Sequence, residues 1–333
     1  MLGAADGERT CAATDGRRAM MTRVLVFHPE GERYRALVAA RAPGVAVECA
    51  RDPLQLRQRI PAADVLLTFQ FPLDILRAAQ RLRWIQVTSA GTEFLMPAAP
   101  LLGPVLVTNA RGLHAAPIAD YVMTAAVMLH SDFPRFFRAQ SARRWDRRPV
   151  QALAGKALGV VGLGSIGQEI ARRAVAAGME VLGVRRSGAA VAGVSTVFPP
   201  SGLPSFLGAC DFVVVTVPMT GETQALIGRE ELAHMKASAY LINVARGGVV
   251  DQRALSQALR EGRLAGACLD VFDTEPLPPD DPLWSMSNVI VTPHIAGMRV
   301  DYAERLAELF VENVRRFQAG RELLNRVDVA RGY

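Results

Sequence analysis

From residue 22 the chain alternates short apolar runs with stretches whose apolar positions recur every three or four residues. The runs 22–27, 45–50, 63–69, 84–89 and 105–108 read as buried strands, and 31–41, 53–60 and 73–81 between them carry a helical period. A second series starts at 157–162 and continues through 179–184, 212–217, 240–245, 265–271 and 289–292. Helices are expected there over 165–178, 229–236 and 252–262. Strands alternating with helices imply parallel sheets covered on both faces. The pattern predicts an α/β chain with two doubly wound parallel sheets. A long helical segment over 118–145 joins the two series, and a last helix over about 299–318 crosses back. Two crossings leave a cleft between lobes, a preferred place for ligands.

Composition narrows the class. Half of the 333 residues are apolar, 21% are charged and the net charge is +6, which excludes a disordered chain. The apolar runs, such as 158–161 and 212–217, are soon broken by Gly or Pro, so no stretch reaches the roughly 20 residues of a membrane span. Lys156 and Lys236 are the only lysines, and the arginines are spread along the chain apart from Arg143, Arg144, Arg147 and Arg148. With 6% aromatics this is not the clustered, aromatic-interleaved patch of a nucleic-acid binder, and no nucleic-acid partner is expected. Cys11, Cys49, Cys210 and Cys268 lie far apart and form no CxxC pair, so reduced thiols in a cytoplasmic protein are expected. No His/Cys/Asp/Glu grouping has metal spacing, so no metal is expected. Residues 1–21 lack periodicity and any secretory core; a disordered tail is expected, with Met20 or Met21 as candidate natural starts.

The strongest local signal is Gly162-Leu163-Gly164-Ser165-Ile166-Gly167, which follows an apolar strand and opens an amphipathic helix. In that context Gly162 permits a tight turn, Gly164 lets a pyrophosphate approach the backbone, and Gly167 allows close helix–sheet packing. The helix N-terminus offers N–H groups and a positive dipole end to phosphates. These features predict two Rossmann-like domains: a dinucleotide-binding domain over 119–298 and a substrate domain formed by 22–118 plus 299–333. The next strand ends in Arg185-Arg186-Ser187-Gly188 with no carboxylate at its tip, Glu180 coming too early. Guanidiniums and a hydroxyl suit a ribose 2′-phosphate, so NADP(H) is the expected cofactor, with NAD(H) as the alternative if both arginines are merely solvated.

Three more segments fall at strand ends of the second series: Asn243-Val244-Ala245-Arg246-Gly247-Gly248, Leu269-Asp270-Val271-Phe272-Asp273-Thr274-Glu275-Pro276 and Thr292-Pro293-His294-Ile295-Ala296-Gly297. They bring one Arg, one Glu and one His to the cleft rim. With the glycine loop, and in this order, they resemble the D-isomer-specific 2-hydroxyacid dehydrogenases over residues 22 to about 320. The resemblance implies that Arg246 binds the substrate carboxylate and carbonyl, that His294 is the acid/base and that Glu275 pairs with it. The chemistry agrees: reducing a 2-oxo acid needs a hydride and a proton for the nascent alkoxide, and a neighbouring carboxylate favours a protonated imidazole. Arg246 presents a planar fork that matches a carboxylate. The resemblance further implies that Ser89, Ala90, Gly91 and Thr92 grip the substrate carboxylate by backbone N–H groups, the alternative being an ordinary turn. Val217, Pro218 and Met219 would line the adenosine side of the cofactor, with Val244, Ala245 and Gly297 also beside the cofactor. Asp270 resembles the residue contacting the nicotinamide amide, and a capping carboxylate is its other reading. Trp145 resembles the end of a dimerisation arm, as in a homodimer, or is a core tryptophan. His28 reads as a loop histidine facing the cleft or solvent, and His114, near the substrate loop, either tunes specificity or is a surface residue, whereas His130 and His234 read as structural.

The expected activity is an NADP(H)-dependent 2-oxo-acid reductase of the glyoxylate or hydroxypyruvate type, because NADP preference resembles those members. Glu275, where formate dehydrogenases carry Gln, and Ala90, where phosphite dehydrogenases carry Lys, disfavour both. The alternatives are a nucleotide-sensing interaction protein of the same superfamily, such as the C-terminal-binding-protein corepressors, and an NAD-dependent phosphoglycerate-type dehydrogenase. An S-adenosylhomocysteine hydrolase-like enzyme would need Cys or Lys groups in the first-lobe cleft, where Lys is absent.

Overall fold

The computed structural model describes residues 21–329; the expected tail, Cys11 and the Met20 start lie outside them. The first sheet holds β1 (Thr22–Phe27), β2 (Val45–Cys49), β3 (Val65–Thr68), β4 (Trp84–Val87) and β5 (Leu106–Thr108). Around and after it come α1 (Gly31–Arg41), α2 (Pro53–Arg59), α3 (Ala99–Leu102), α4 (Ala115–His130) and α5 (Phe133–Ser141). The second sheet holds β6 (Ala157–Val161), β7 (Glu180–Val184), β8 (Thr196–Phe198), β9 (Phe212–Val215), β10 (Tyr240–Asn243), β11 (Gly266–Leu269) and β12 (Val289–Val291). Its helices are α6 (Ser165–Ala176), α7 (Leu203–Ala209), α8 (Arg229–His234) and α9 (Gln252–Arg260), and α10 (Tyr302–Gln318) closes the chain.

Both sheets are parallel throughout, in the orders β2-β1-β3-β4-β5 and β12-β11-β10-β9-β6-β7-β8. Parallel strands with helices on both faces lose nearly all their exposure, which is why β3, β4, β9 and β11 are buried at every residue. α10 returns to the first sheet: it packs on α1, and its Phe310 stacks on the buried Trp84 with ring centres 5.0 Å apart. α4 packs along α6 against the second sheet, burying Val122, Ala126 and Leu129. The fold class expected from the pattern holds.

Several elements differ from the expectation. The segment 118–145 is two helices, because Asp132 takes a left-handed conformation (φ 55°) and Pro134, lacking an N–H, sits in the first turn of α5. The segment 73–81 makes a 3-10 helix over Leu73–Ala78 in place of the expected α-helix. β8, a short edge strand, and α7 were not visible in the pattern. The last helix begins at Tyr302, just after Arg299 and Asp301 pair with each other.

Candidate active site

The second sheet reverses its winding between β6 and β9, and the crevice at such a switch point opens at the carboxyl ends of the strands. The glycine loop leaves β6 there. Gly162 has φ 101°, and a β-carbon on it would come within 2.8 Å of Val217. A β-carbon on Gly167 would strike the Gly162 carbonyl, so helix and loop touch only because residue 167 is glycine. Around Gly164 there is open space, and α6 begins at Ser165 and Ile166 with no side-chain cap. A bare helix N-terminus facing open space fits a dinucleotide's pyrophosphate. Across the crevice Thr216 donates to the Gly162 carbonyl at 2.6 Å, with Val217 and Pro218 next to it, while Met219 lies against Gly248.

At the tip of β7, Arg185 to Gly188 form a tight turn, the Gly188 N–H donating to the Arg185 carbonyl. The Ser187 hydroxyl accepts from Ala189 N–H. Glu180 is at the opposite end of the strand. No local pattern pointed to Glu222, whose carboxylate lies 3.4 Å from the Arg186 guanidinium with both side chains exposed.

Arg246, Glu275 and His294 follow β10, β11 and β12, three adjacent strands. His294 Nδ1 lies 2.7 Å from Glu275 Oε2, and the other Glu275 oxygen accepts from Phe272 N–H at 3.0 Å, so the carboxylate is held from behind. His294 itself sits at φ 56°, a conformation non-glycine residues rarely take. Its loop is tied down by Asp270, which is buried and accepts from Ile295 N–H, Ala296 N–H and the Thr292 hydroxyl at 2.9, 2.8 and 2.6 Å. Asp270 thus has the geometry of the capping reading. Since Thr292 donates to Asp270, it accepts from Tyr121 on α4 at 2.6 Å; Tyr121 in turn lies 3.1 Å from the Cys268 thiol, which burial pushes up to about 11.

Arg246 donates from Nη1 to the Ala245 carbonyl at 2.7 Å, next to Val244, and its Nε lies 3.4 Å from Glu93 of the first lobe. A β-carbon on Gly91 would collide with Arg246 Nη2 and with the Glu93 carboxylate, so the three groups meet at one point across the cleft. The carbonyls of Ser89, Ala90 and Gly91 accept from Ala110 N–H, Asn109 Nδ2 and the Ser89 hydroxyl. The N–H groups of Ala90 and Gly91 donate to nothing among the described residues. A loop with its carbonyls turned away and the Ala90 and Gly91 N–H groups open suits an anion, and Thr92 is buried at its end. Glu93 is two residues past a predicted site glycine, but only the approach of the lobes gives it a partner.

Other expected residues fall elsewhere. Trp145 is 93% exposed, which removes the core reading. His28 stacks edge-on against Tyr34 beside a hollow of about 610 Å³ at the other end of the first sheet's carboxyl edge, lined by Phe27, Glu30, Arg33, Cys49 and Arg51 and by none of the residues above. His130 packs edge-on against Phe212 and Tyr240, and His234 is exposed at the end of α8.

Residues 123–296 match the family described as D-isomer specific 2-hydroxyacid dehydrogenase, NAD binding domain. The chain belongs to that family. The dehydrogenase is 37% identical to a glyoxylate reductase of Korarchaeum cryptofilum over 77% of its own length and 79% of the relative's. A D-isomer specific 2-hydroxyacid dehydrogenase of Xanthobacter autotrophicus, solved with NADPH and MES, superposes with a TM-score of 0.82 at 35% identity, covering 93% of this chain and 99% of that one. An NADPH-dependent glyoxylate/hydroxypyruvate reductase of Sinorhizobium meliloti, solved with NADP and sulfate, gives 0.85 at 27% identity over 94% and 100%. The chain is an NAD(P)-dependent oxidoreductase, as the motifs led us to expect.

Proposed function

We propose that the protein is an NADP(H)-dependent reductase of small 2-oxo acids, glyoxylate or hydroxypyruvate, with Arg246, Glu275 and His294 as its catalytic residues. The observation that carries this reading is the convergence of the Arg246 fork, the unpaired N–H groups of Ala90 and Gly91 and the His294–Glu275 pair at the mouth between two lobes. The dinucleotide domain, 119–298, would hold the cofactor by the Gly162–Gly167 loop, and the substrate domain would be 22–118 plus 299–333. A bound nicotinamide supplies the hydride. Arg246 and the loop N–H groups hold the substrate carboxylate and orient its 2-oxo carbon. His294 Nε2 delivers the proton to the developing alkoxide, and Glu275 fixes the ring by accepting from Nδ1 and stabilises its charged form. The Arg185–Ser187 turn, with no carboxylate at the strand tip, supports a preference for a 2′-phosphate, and the two NADP(H)-bound neighbours are consistent with it. The arm ending at Trp145 supports a homodimer.

The test is a panel of 2-oxo acids with NADPH and NADH, beside His294→Ala. Glyoxylate or hydroxypyruvate with NADPH should give the highest kcat/KM, and the variant should lose roughly 10²–10⁴-fold in kcat. No NADPH oxidation with any 2-oxo acid would overturn the reading, and a higher kcat/KM with NADH would overturn the cofactor preference.

A further inference from the structure

His114, at the start of α4, joins three segments that the sequence keeps far apart. Its Nδ1 lies 3.2 Å from the Gly297 carbonyl, at the end of the loop that carries His294. Its Nε2 lies 3.0 Å from the hydroxyl of Tyr302, the first residue of α10, and the two rings stack with centres 5.0 Å apart. The Tyr302 hydroxyl also reaches the carbonyl of Thr88, the residue before the Ser89–Thr92 loop. Thr88 C=O, Tyr302, His114 and Gly297 C=O thus form one chain of hydrogen bonds from the substrate loop to the acid/base loop.

Counting protons along this chain has a definite outcome. The two carbonyls at its ends can only accept. Each of the three links needs a proton; Tyr302 supplies one and a neutral imidazole supplies one. The third is present only when both ring nitrogens of His114 are protonated. We propose that His114 and Tyr302 are positioning residues that strap the substrate loop to the His294 loop, and that the strap is complete only with His114 as imidazolium. The inference rests on the roles given above to His294 and to the Ser89–Thr92 loop.

The surroundings oppose that charge. Burial pushes the His114 pKa below its ordinary value, and Arg246 after β10 and His294 after β12 push the same way; the Gly297 carbonyl pulls back. From α10 the facing group is Tyr302, which burial keeps protonated. Near neutral pH the strap therefore runs one proton short, and the Tyr302 hydroxyl serves either Thr88 or His114.

The experiment follows KM and kcat for the preferred 2-oxo acid from about pH 8 to about pH 5, the range over which a histidine charges. It compares the wild type with Tyr302→Phe and His114→Gln, with NADPH binding and Tm as folding checks. In the wild type KM should fall as the pH drops through the His114 transition. Both variants should lose that fall and show KM raised roughly three- to tenfold at the acid end, the worth of about one net hydrogen bond, with the KM for NADPH unchanged. Variants that keep the wild-type KM profile overturn the proposal. Ring-nitrogen NMR of ¹⁵N-histidine-labelled wild-type protein decides the case if the variants fail to fold. Neutral His114 should carry its proton on Nδ1 and gain the second on acidification; a proton resident on Nε2 overturns the strap. A wild type that turns over no 2-oxo acid would sink the functional reading alone, since the NMR still reports on the strap.

Discussion

Gly91 lies where the two lobes touch, and the space left by its missing side chain is filled by Arg246 Nη2 and the Glu93 carboxylate. A methyl group there has to displace one of them. Gly91→Ala should raise KM for the 2-oxo acid by roughly ten- to a hundredfold, the cost of overpacking a close contact, and leave the KM for NADPH unchanged. An unaltered KM for the acid would mean that this loop does not hold the substrate. At the other end of the crevice Arg186 is shared between the expected 2′-phosphate and Glu222. An exposed pair of this kind is worth little by itself, so Glu222→Gln should remove a competing carboxylate and lower the KM for NADPH by about two- to fivefold. The KM for NADH should not respond. Arg186→Ala should move the KM for NADPH the opposite way, and steady-state titration of both cofactors checks the pair.

At the scale of elements, α6 is fastened to α4 through the Arg173 guanidinium, which a carboxylate of its own helix holds in place. Glu169 accepts from Arg172 and Arg173, and Arg173 also reaches Asp120 on α4. Those two guanidiniums hold the Glu169 carboxyl down to about 2, so its stabilising effect is present above the ordinary glutamate range and fades as the pH falls toward 2. Glu169→Gln should cost less than about 1 kcal/mol at neutral pH, because the pair is partly exposed, and the difference from wild type should shrink below about pH 4 in urea unfolding. The strand centres and the helix after the glycine loop were legible because buried parallel strands read as unbroken apolar runs and glycine marks its own turns. The break between α4 and α5 was not: both halves keep a helical period, and the stop depends on the left-handed Asp132 and on Pro134. Arg246, Glu275 and His294, the proposed catalytic trio, were legible because each lies in a segment that follows a strand of the second series. Glu93 and Tyr302 were not, since their partners Arg246 and His114 come from other segments and no local pattern encodes that meeting.

For the whole molecule the open face is the arm formed by α5 and the segment after it. Arg135 grips Asp146 through two hydrogen bonds, which fixes the neighbouring Trp145 outward, and Phe133 and Phe137 are exposed on the same arm at 36% and 51%. Solvent-facing aromatics held by a bidentate ion pair waste hydrophobic area unless something covers them. A twofold partner would cover them with the same surface, as an isologous interface requires. The proposed homodimer should therefore run at twice the 35.9 kDa chain mass in light scattering. Phe137→Glu, which places a charge in the centre of that face, should shift the protein to monomer while NADPH binding survives, because the glycine loop and its crevice lie within one chain. A wild-type monomer, or a Phe137→Glu protein that stays dimeric, would remove the arm from the interface. If the monomer binds NADPH normally yet turns over poorly, the arm also helps to shape the cleft.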